Sequence, residues 1–295
     1  MPELPEVETV KRGLEPALLG QMITHVALRR ANLRFAFPTD FAKRLEGATI
    51  TGLFRRAKYI LANLDRGDTL LMHLGMTGRF TILSSDGSQS APGEFYDATV
   101  AKATADGPHD HVVFTLKNGT RIVYSDPRRF GMMDLQADGE THPLLKAIGV
   151  EPLGNELDAA FLHQRFSNKS APLKAALLDQ RIIAGLGNIY VCEALFRAGL
   201  SPLRKAGTLV RAKKIDPRLE NLVRHIRDIL NEAILAGGST LQDYQAVDGT
   251  KGEYQQRFAV YDREGEACVN AGCNSMVQRV VQSGRSTFHC PTCQK

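Results

Sequence analysis

The sequence predicts a multidomain α+β protein, in which a strand-rich N-terminal part precedes a helical part that ends in a small cysteine-built module. Three observations predict it. Between residues 22 and 125 short alternating or apolar runs recur with turn residues between them, the spacing of a sandwich or a barrel. From about residue 135 the apolar residues fall instead at helical steps. Four of the five cysteines crowd into the last 28 residues as Cys268-x4-Cys273-x16-Cys290-x2-Cys293, two knuckles joined by a hairpin-sized segment. A chain of 295 residues with 43% apolar composition can bury a sizeable core, and this length favours about two domains.

The first element is an amphipathic helix, marked by Leu4, Val7, Val10, Leu14 and Leu18 at three- and four-residue steps. Its opening, Pro2-Glu3-Leu4-Pro5-Glu6, admits two readings. In one, Pro5 sits in the first turn, where its missing N–H costs nothing, and the glutamates favour the positive end of the helix dipole. In the other, removal of Met1 makes Pro2 a free secondary amine with Glu3 beside it and Glu6 three residues on. A terminal amine has a reference pKa near ~8 against ~10.4 for lysine, so part of it is unprotonated at neutral pH and can attack a sugar C1′ to form an iminium.

Strands are expected at Met22 to Leu28, Ala48 to Phe54, Tyr59 to Leu64, Thr69 to Leu74, Arg79 to Leu83, His111 to Leu116 and Arg121 to Ser125. Lys117-Asn118-Gly119-Thr120 is a tight-hairpin signal between the last two. Ser84 to Pro108, rich in Ser, Gly, Asp and Ala without periodicity, reads as a mobile surface excursion, and His109-x-His111 reads as a loop-to-strand junction rather than a metal site. Helices follow at about Asp158 to Phe166, Pro172 to Asp179, Asn188 to Ala198 and Pro217 to Ala236, the last capped by Asp216. Gly237 to Gly252 is polar and reads as a flexible loop before the cysteine module.

No apolar run approaches the ~18 residues of a membrane span, and Glu stands where a secretion signal has a basic residue, so a soluble, cytoplasmic protein is expected. In that setting the four cysteines fit one structural zinc better than disulfides, with His289 a neighbour rather than a ligand. Cys192, alone in a helical stretch, reads as a small buried hydrophobe. The net charge of +5 falls to about +3 once four thiolates hold a zinc ion, so any positive field is local. Arg204, Lys205, Arg211, Lys213, Lys214, Arg218, Arg224 and Arg227 make nucleic acid the first polyanion to consider.

Four stretches in order carry a family resemblance. They are Pro2-Glu3-Leu4-Pro5-Glu6-Val7-Glu8, His73-Leu74-Gly75-Met76-Thr77-Gly78, Asp179 to Tyr190 with its Gly185-Leu186-Gly187-Asn188 core, and the four-cysteine end. Together, over the full length, the chain resembles bacterial formamidopyrimidine-DNA glycosylases, and Leu4 with Val7 sides with these rather than with the related endonuclease VIII. The resemblance implies an N-terminal β-sandwich with flanking helices over residues 1–134 and a helix-two-turns-helix domain over 135–237. It further implies a lesion-capping loop and connector over 238–262 and a zinc ribbon over 263–295. It implies excision of oxidised purines, 8-oxoguanine and formamidopyrimidines, from double-stranded DNA, then β,δ-elimination at the abasic site, with no redox cofactor.

The same resemblance implies roles for individual residues. Pro2 is the nucleophile, Glu3 the proton-transfer acid, Glu6 a supporting carboxylate, and Lys58 a catalytic cation near the scissile phosphate. His73, Asn188 and Arg285 are phosphate contacts. Met76 and Phe130 fill the void left by the extruded nucleotide, Arg128 addresses the orphaned cytosine, and Arg129 belongs to the same DNA-binding loop. Cys268, Cys273, Cys290 and Cys293 hold the zinc. A monomer is expected, one site being assembled from both domains of one chain. Two features depart from the family pattern: Glu253-Tyr254 in the capping loop, and the length of the Ser84 to Pro108 excursion. Rival readings are an enzyme for oxidised pyrimidines and a damage-binding or regulatory zinc-ribbon protein without catalysis; the intact Pro2-Glu3 pair argues against the latter.

Overall fold

The structure is a computed structural model that describes residues 2–92, 105–211, 214–239 and 254–295. The chain forms two compact units, Met1–Lys146 with Ala236–Glu253, and Ala147–Leu235 with Tyr254–Lys295.

The first unit opens with helix α1 (Leu4–Leu18), whose Leu4, Val7, Val10, Leu14 and Leu18 are all buried, the stripe the sequence predicts. It continues through β1 (Ile23–Leu28), the short helix α2 (Phe41–Leu45), β2 (Ile50–Arg56), β3 (Tyr59–Leu64), β4 (Thr69–His73), β5 (Arg79–Leu83), β6 (Gln89–Ser90), β7 (Asp110–Leu116), β8 (Arg121–Ser125), β9 (Met132–Gln136) and the one-turn helix α3 (Pro143–Lys146). The strands make two antiparallel sheets, ordered β1-β7-β8-β5-β6 and β2-β3-β4-β9. Strand β3 alternates strictly, sending Ile60, Ala62 and Leu64 inward. These meet Val26, Phe80, Val112, Phe114 and Ile122 of the other sheet and Val7, Val10 and Leu14 of α1 in one core. The architecture is the expected sandwich rather than a barrel.

In this unit, besides the very short β6 and α3, two elements differ from the sequence expectation. Strand β9 lies where the sequence turns toward helical character, because Met132, Met133 and Leu135 are good helix formers; pairing of Met133 with Met72 and Leu135 with Leu70 overrides that preference. Helix α2 is too short to show periodicity. The excursion after Ser84 begins in order, since Gln89 and Ser90 pair with β5, and its residues 93–104 lie outside the described ones. At the β7–β8 hairpin Gly119 takes φ 84°, the left-handed position that the Asn-Gly signal requires.

The second unit comprises α4 (Ala159–Phe166), α5 (Leu173–Leu178), α6 (Asn188–Arg197), a minor pair β10 (Val210–Arg211) and β11 (Lys214–Ile215), α7 (Pro217–Leu235), and the terminal hairpin β12 (Gln278–Gln282) and β13 (Arg285–His289). Asp158 caps α4 by accepting from the Phe161 N–H at 2.6 Å. Helix α7 buries Leu219, Leu222, Val223, Ile226, Ile229, Leu230 and Ala233 on one side, which packs against α6. Helices α5 and α6 with the two turns between them form the helix-two-turns-helix element. No helix among the described residues is long and apolar enough to cross a membrane.

Candidate active site and nucleic-acid interface

In the first unit the residues at the head of α1 are buried: Pro2, Glu3 at 4% exposure and Glu6 at 2%. The Glu3 N–H donates to Glu6 Oε2 at 2.8 Å, and the N–H and hydroxyl of Ser239 donate to Glu6 Oε1 at 2.8 and 3.0 Å. One carboxylate thus fixes the backbone that carries Pro2 and Glu3 and the point where residues 240–253 begin. Of the expected capping loop and connector over 238–262, that span, Glu253 included, lies outside the described residues.

Lys58, 7% exposed, lies in the two-residue turn between β2 and β3, where Ala57 is held left-handed at φ 53°. Glu8 of α1 accepts Arg55 Nε at 3.0 Å, and Arg55 Nη1 donates to the Ala57 carbonyl at 3.0 Å. The helix that follows Glu3 therefore also orients the turn that carries Lys58. His73 faces Tyr59 across β3 and β4, with ring centroids 4.9 Å apart. Its Nδ1 accepts the Gly75 N–H at 3.0 Å, which puts the proton on Nε2. Burial, then the positive charges of Lys58 and Arg34, push its pKa down to about 4. His73 is thus a neutral donor at pH 7, suited to an anionic oxygen already drawn by two cations.

Met76, half-buried, sits in the turn after β4, and Phe130, 43% exposed, in the loop after β8. The Arg128 guanidinium carbon lies 4.7 Å from the Phe130 ring centroid, and Arg129 adopts φ 56°. Arg128 and Arg129 are both exposed. The turns touch backbone to backbone: a Cβ on Gly75 would collide with the Phe130 carbonyl and the Gly131 nitrogen. His111 belongs to no metal cluster among the described residues; its Nε2 faces the Asp126 carbonyl at 2.9 Å.

The second unit holds Asn188, Arg285 and the cysteines. Asn188 opens α6 after Gly187, which supplies no side-chain cap. The preceding two turns are stapled by Gln180, whose Nε2 donates to the Leu178 and Leu186 carbonyls at 3.1 and 2.8 Å and whose Oε1 accepts the Gly185 N–H at 2.9 Å. Asn188 Nδ2 donates to the Ser286 carbonyl at 3.0 Å. Lys174 Nζ reaches the same carbonyl at 2.9 Å and Thr287 Oγ1 at 2.6 Å. Arg285, exposed at the start of β13, stands next to this doubly held peptide.

The four cysteine sulfurs lie within 4.8 Å of one another, with Cys268 to Cys293 at 3.8 Å and Cys273 to Cys290 at 3.7 Å. A tetrahedron with metal–sulfur distances of ~2.3 Å has edges of ~3.8 Å, so the four thiolates fit a metal ion of that size. His289 is buried in β13 and is not one of the group. Cys192 packs with Phe196, Val260, Val277 and Phe288 against Cys268 and Cys290 as a small apolar residue.

Two buried charges in this unit escaped sequence reasoning. Lys174 is 1% exposed and Glu193 fully buried, and each looks like the solvated side of its helix. Glu193 accepts the backbone N–H groups of Ala259, Val260 and Tyr261 at 2.8 to 3.0 Å, pinning the segment that leads to the cysteines. Tyr254, which the sequence pattern puts in the capping loop, is a core residue. It is fully buried, between Tyr190 at 5.8 Å and Phe258 at 5.9 Å, in a ladder of rings that continues through Tyr261 to Phe288. Within the basic run at 204–227, Arg218 pairs with Asp216 and Arg227 donates to the carbonyls of Gly154 and Leu157, so these two charges serve the fold.

Comparison with known proteins agrees along the whole chain. The family model of the formamidopyrimidine-DNA glycosylase N-terminal domain matches residues 1–133, and that of the formamidopyrimidine-DNA glycosylase H2TH domain matches 148–245. A formamidopyrimidine-DNA glycosylase of Rhizobium johnstonii is 56% identical over 301 residues, covering all of both chains. Lactococcus lactis Fpg, solved in complex with DNA containing an abasic site, superposes with TM-score 0.81 at 32% identity over all of both chains. MutM in complex with DNA containing carbocyclic 8-oxo-G superposes with TM-score 0.81 at 31% identity, again over all of both.

Proposed function

The chain belongs to the formamidopyrimidine-DNA glycosylase family, and from that premise we propose that it excises 8-oxoguanine and formamidopyrimidines through a Schiff base on Pro2 and then cleaves the strand by β,δ-elimination. It is a DNA glycosylase of base excision repair, with the lyase activity associated with that family. Its partner is DNA carrying abasic sites or oxidised guanine, the ligands seen with its structural neighbours.

The observation that carries the mechanism is the head of α1, where buried Pro2 and Glu3 are fixed by the Glu6 carboxylate. With Met1 removed, the Pro2 nitrogen donates its lone pair to C1′, and the glycosidic electron pair leaves with the base, which takes up the proton that the amine nitrogen sheds. The C1′–O4′ bond then breaks toward O4′, which takes a proton from Glu3, and with that amine proton gone an iminium remains. The iminium acidifies C2′. Glu3, now a carboxylate, removes a C2′ proton and the 3′ phosphate departs; a second elimination expels the 5′ phosphate. Lys58 supplies a point charge to the phosphate, and neutral His73 supplies its Nε2 proton as a hydrogen-bond donor.

Met76 and Phe130 fill the duplex where the damaged nucleotide leaves it, and Arg128 meets the base left behind. Asn188 and Arg285 bind phosphate. Cys268, Cys273, Cys290 and Cys293 would hold one zinc ion in a structural role, which would fix the hairpin that presents Arg285.

Borohydride trapping tests this reading. Processed protein should form a covalent complex on a duplex with 8-oxoguanine opposite cytosine and on an abasic duplex, and Pro2→Gly should weaken both. Trapping confined to the abasic duplex would keep the lyase and overturn the choice of base; no trapping on either would overturn amine catalysis.

A further inference from the structure

Asp126 is fully buried at the end of β8, between the turn that carries Met76 and the loop that carries Phe130. Its Oδ1 accepts the Thr77 hydroxyl at 2.5 Å, and its Oδ2 accepts the Gly131 N–H at 2.8 Å and the Tyr124 hydroxyl at 3.3 Å. Thr77 Oγ1 in turn accepts the Arg128 N–H at 3.2 Å. The carbonyl of Asp126 accepts the Arg129 N–H at 3.2 Å and faces His111 Nε2 at 2.9 Å. One side chain therefore holds the residue after Met76 and the residue after Phe130 at the same time.

The backbone around it leaves no slack. A Cβ on Gly78 or Gly131 would overlap the Tyr124 hydroxyl, and one on Gly75 would overlap the Phe130 peptide, so the two turns cannot shift past each other without breaking this contact. A carboxylate suits the position because both of its oxygens accept. An asparagine would turn an N–H toward either Thr77 or Gly131, each of which already offers a proton.

We infer that Asp126 is a positioning residue that couples Met76 and Phe130 into one insertion unit, so that the two side chains enter and leave the duplex together. This rests on the reading of Met76 and Phe130 as void-filling residues. Substitution of one wedge removes the reason for the other to stay inserted, so the double variant loses much less affinity than the product of the single losses. A merely structural Asp126 would lower stability and leave the two losses independent.

A double-mutant cycle separates these cases. The probe is a duplex with a tetrahydrofuran abasic analogue opposite cytosine, and the measured quantity is the loss of affinity in Met76→Ala, Phe130→Ala and their combination. The expected double loss falls short of the product by about fivefold or more, the range found within one hydrogen-bond network. In Thr77→Val, which keeps shape and cuts the link to Asp126, the losses should multiply, and Thr77→Ser should restore the shortfall. Thermal unfolding of Thr77→Val checks that the fold is intact. Simple multiplication in the parent, or a shortfall that survives in Thr77→Val, would overturn the coupling. If neither single substitution changes affinity, the void-filling reading itself falls, and the coupling with it.

Discussion

His73 shows how the surroundings of a single residue set its protonation. Its pKa near 4 follows first from burial and then from Lys58 and Arg34. The folded state therefore stays unprotonated while an unfolded chain takes a proton near ~6.5, so this residue costs stability as pH falls from about 6.5 to about 4 and adds no further cost below. NMR titration of the free protein should give His73 a midpoint near 4, and Lys58→Met should raise it while leaving it below 6.5. A midpoint at or above 6.5 would contradict the buried placement. At this scale the sequence was readable where chemistry is contiguous: Pro2, Glu3 and Glu6 stand within five positions, and the cysteines keep ligand spacing. It was not readable at Lys174 or Glu193, whose partners come from elsewhere in the chain, nor at Asp126, whose partner Thr77 lies 49 residues upstream; the acceptors of Lys174 lie more than 110 residues downstream. A lone charge on an apolar helix does not announce its partners.

The elements divide in the same way. Helix α1 and most of the strands follow from periodicity and turn signals, whereas β9 exists because β4 offers it an edge. The terminal hairpin is held from outside by Lys174 and Asn188, both on the Ser286 carbonyl. Lys174→Met keeps the bulk of the side chain and removes its donors to Ser286 and Thr287. It should lower stability by about 1–3 kcal/mol, measured by denaturant unfolding, and should weaken DNA binding through Arg285. An unchanged unfolding midpoint would mean that Asn188 alone suffices to hold β13.

For the whole molecule, the two units differ in what keeps them folded. The first has a sandwich core of aliphatic and aromatic side chains from two sheets and α1, while the end of the second is organised around the four cysteines. Removing metal with a chelator should therefore abolish hydrogen-exchange protection of Gln278–Gln282 and Arg285–His289 and leave that of Tyr59–Leu64 unchanged. Loss of protection in both would mean that the metal supports the entire chain. The Glu6–Ser239 contact has a consequence for biosynthesis. Ser239 leaves the ribosome 233 residues after Glu6, a delay on the order of ten to fifty seconds at ~5–20 residues per second. Until then the Glu6 carboxylate lacks the two hydrogen bonds from Ser239. On the proposed reading of Pro2 as the nucleophile, that interval leaves time for Met1 to be removed before the Glu6–Ser239 contact closes over the head of α1.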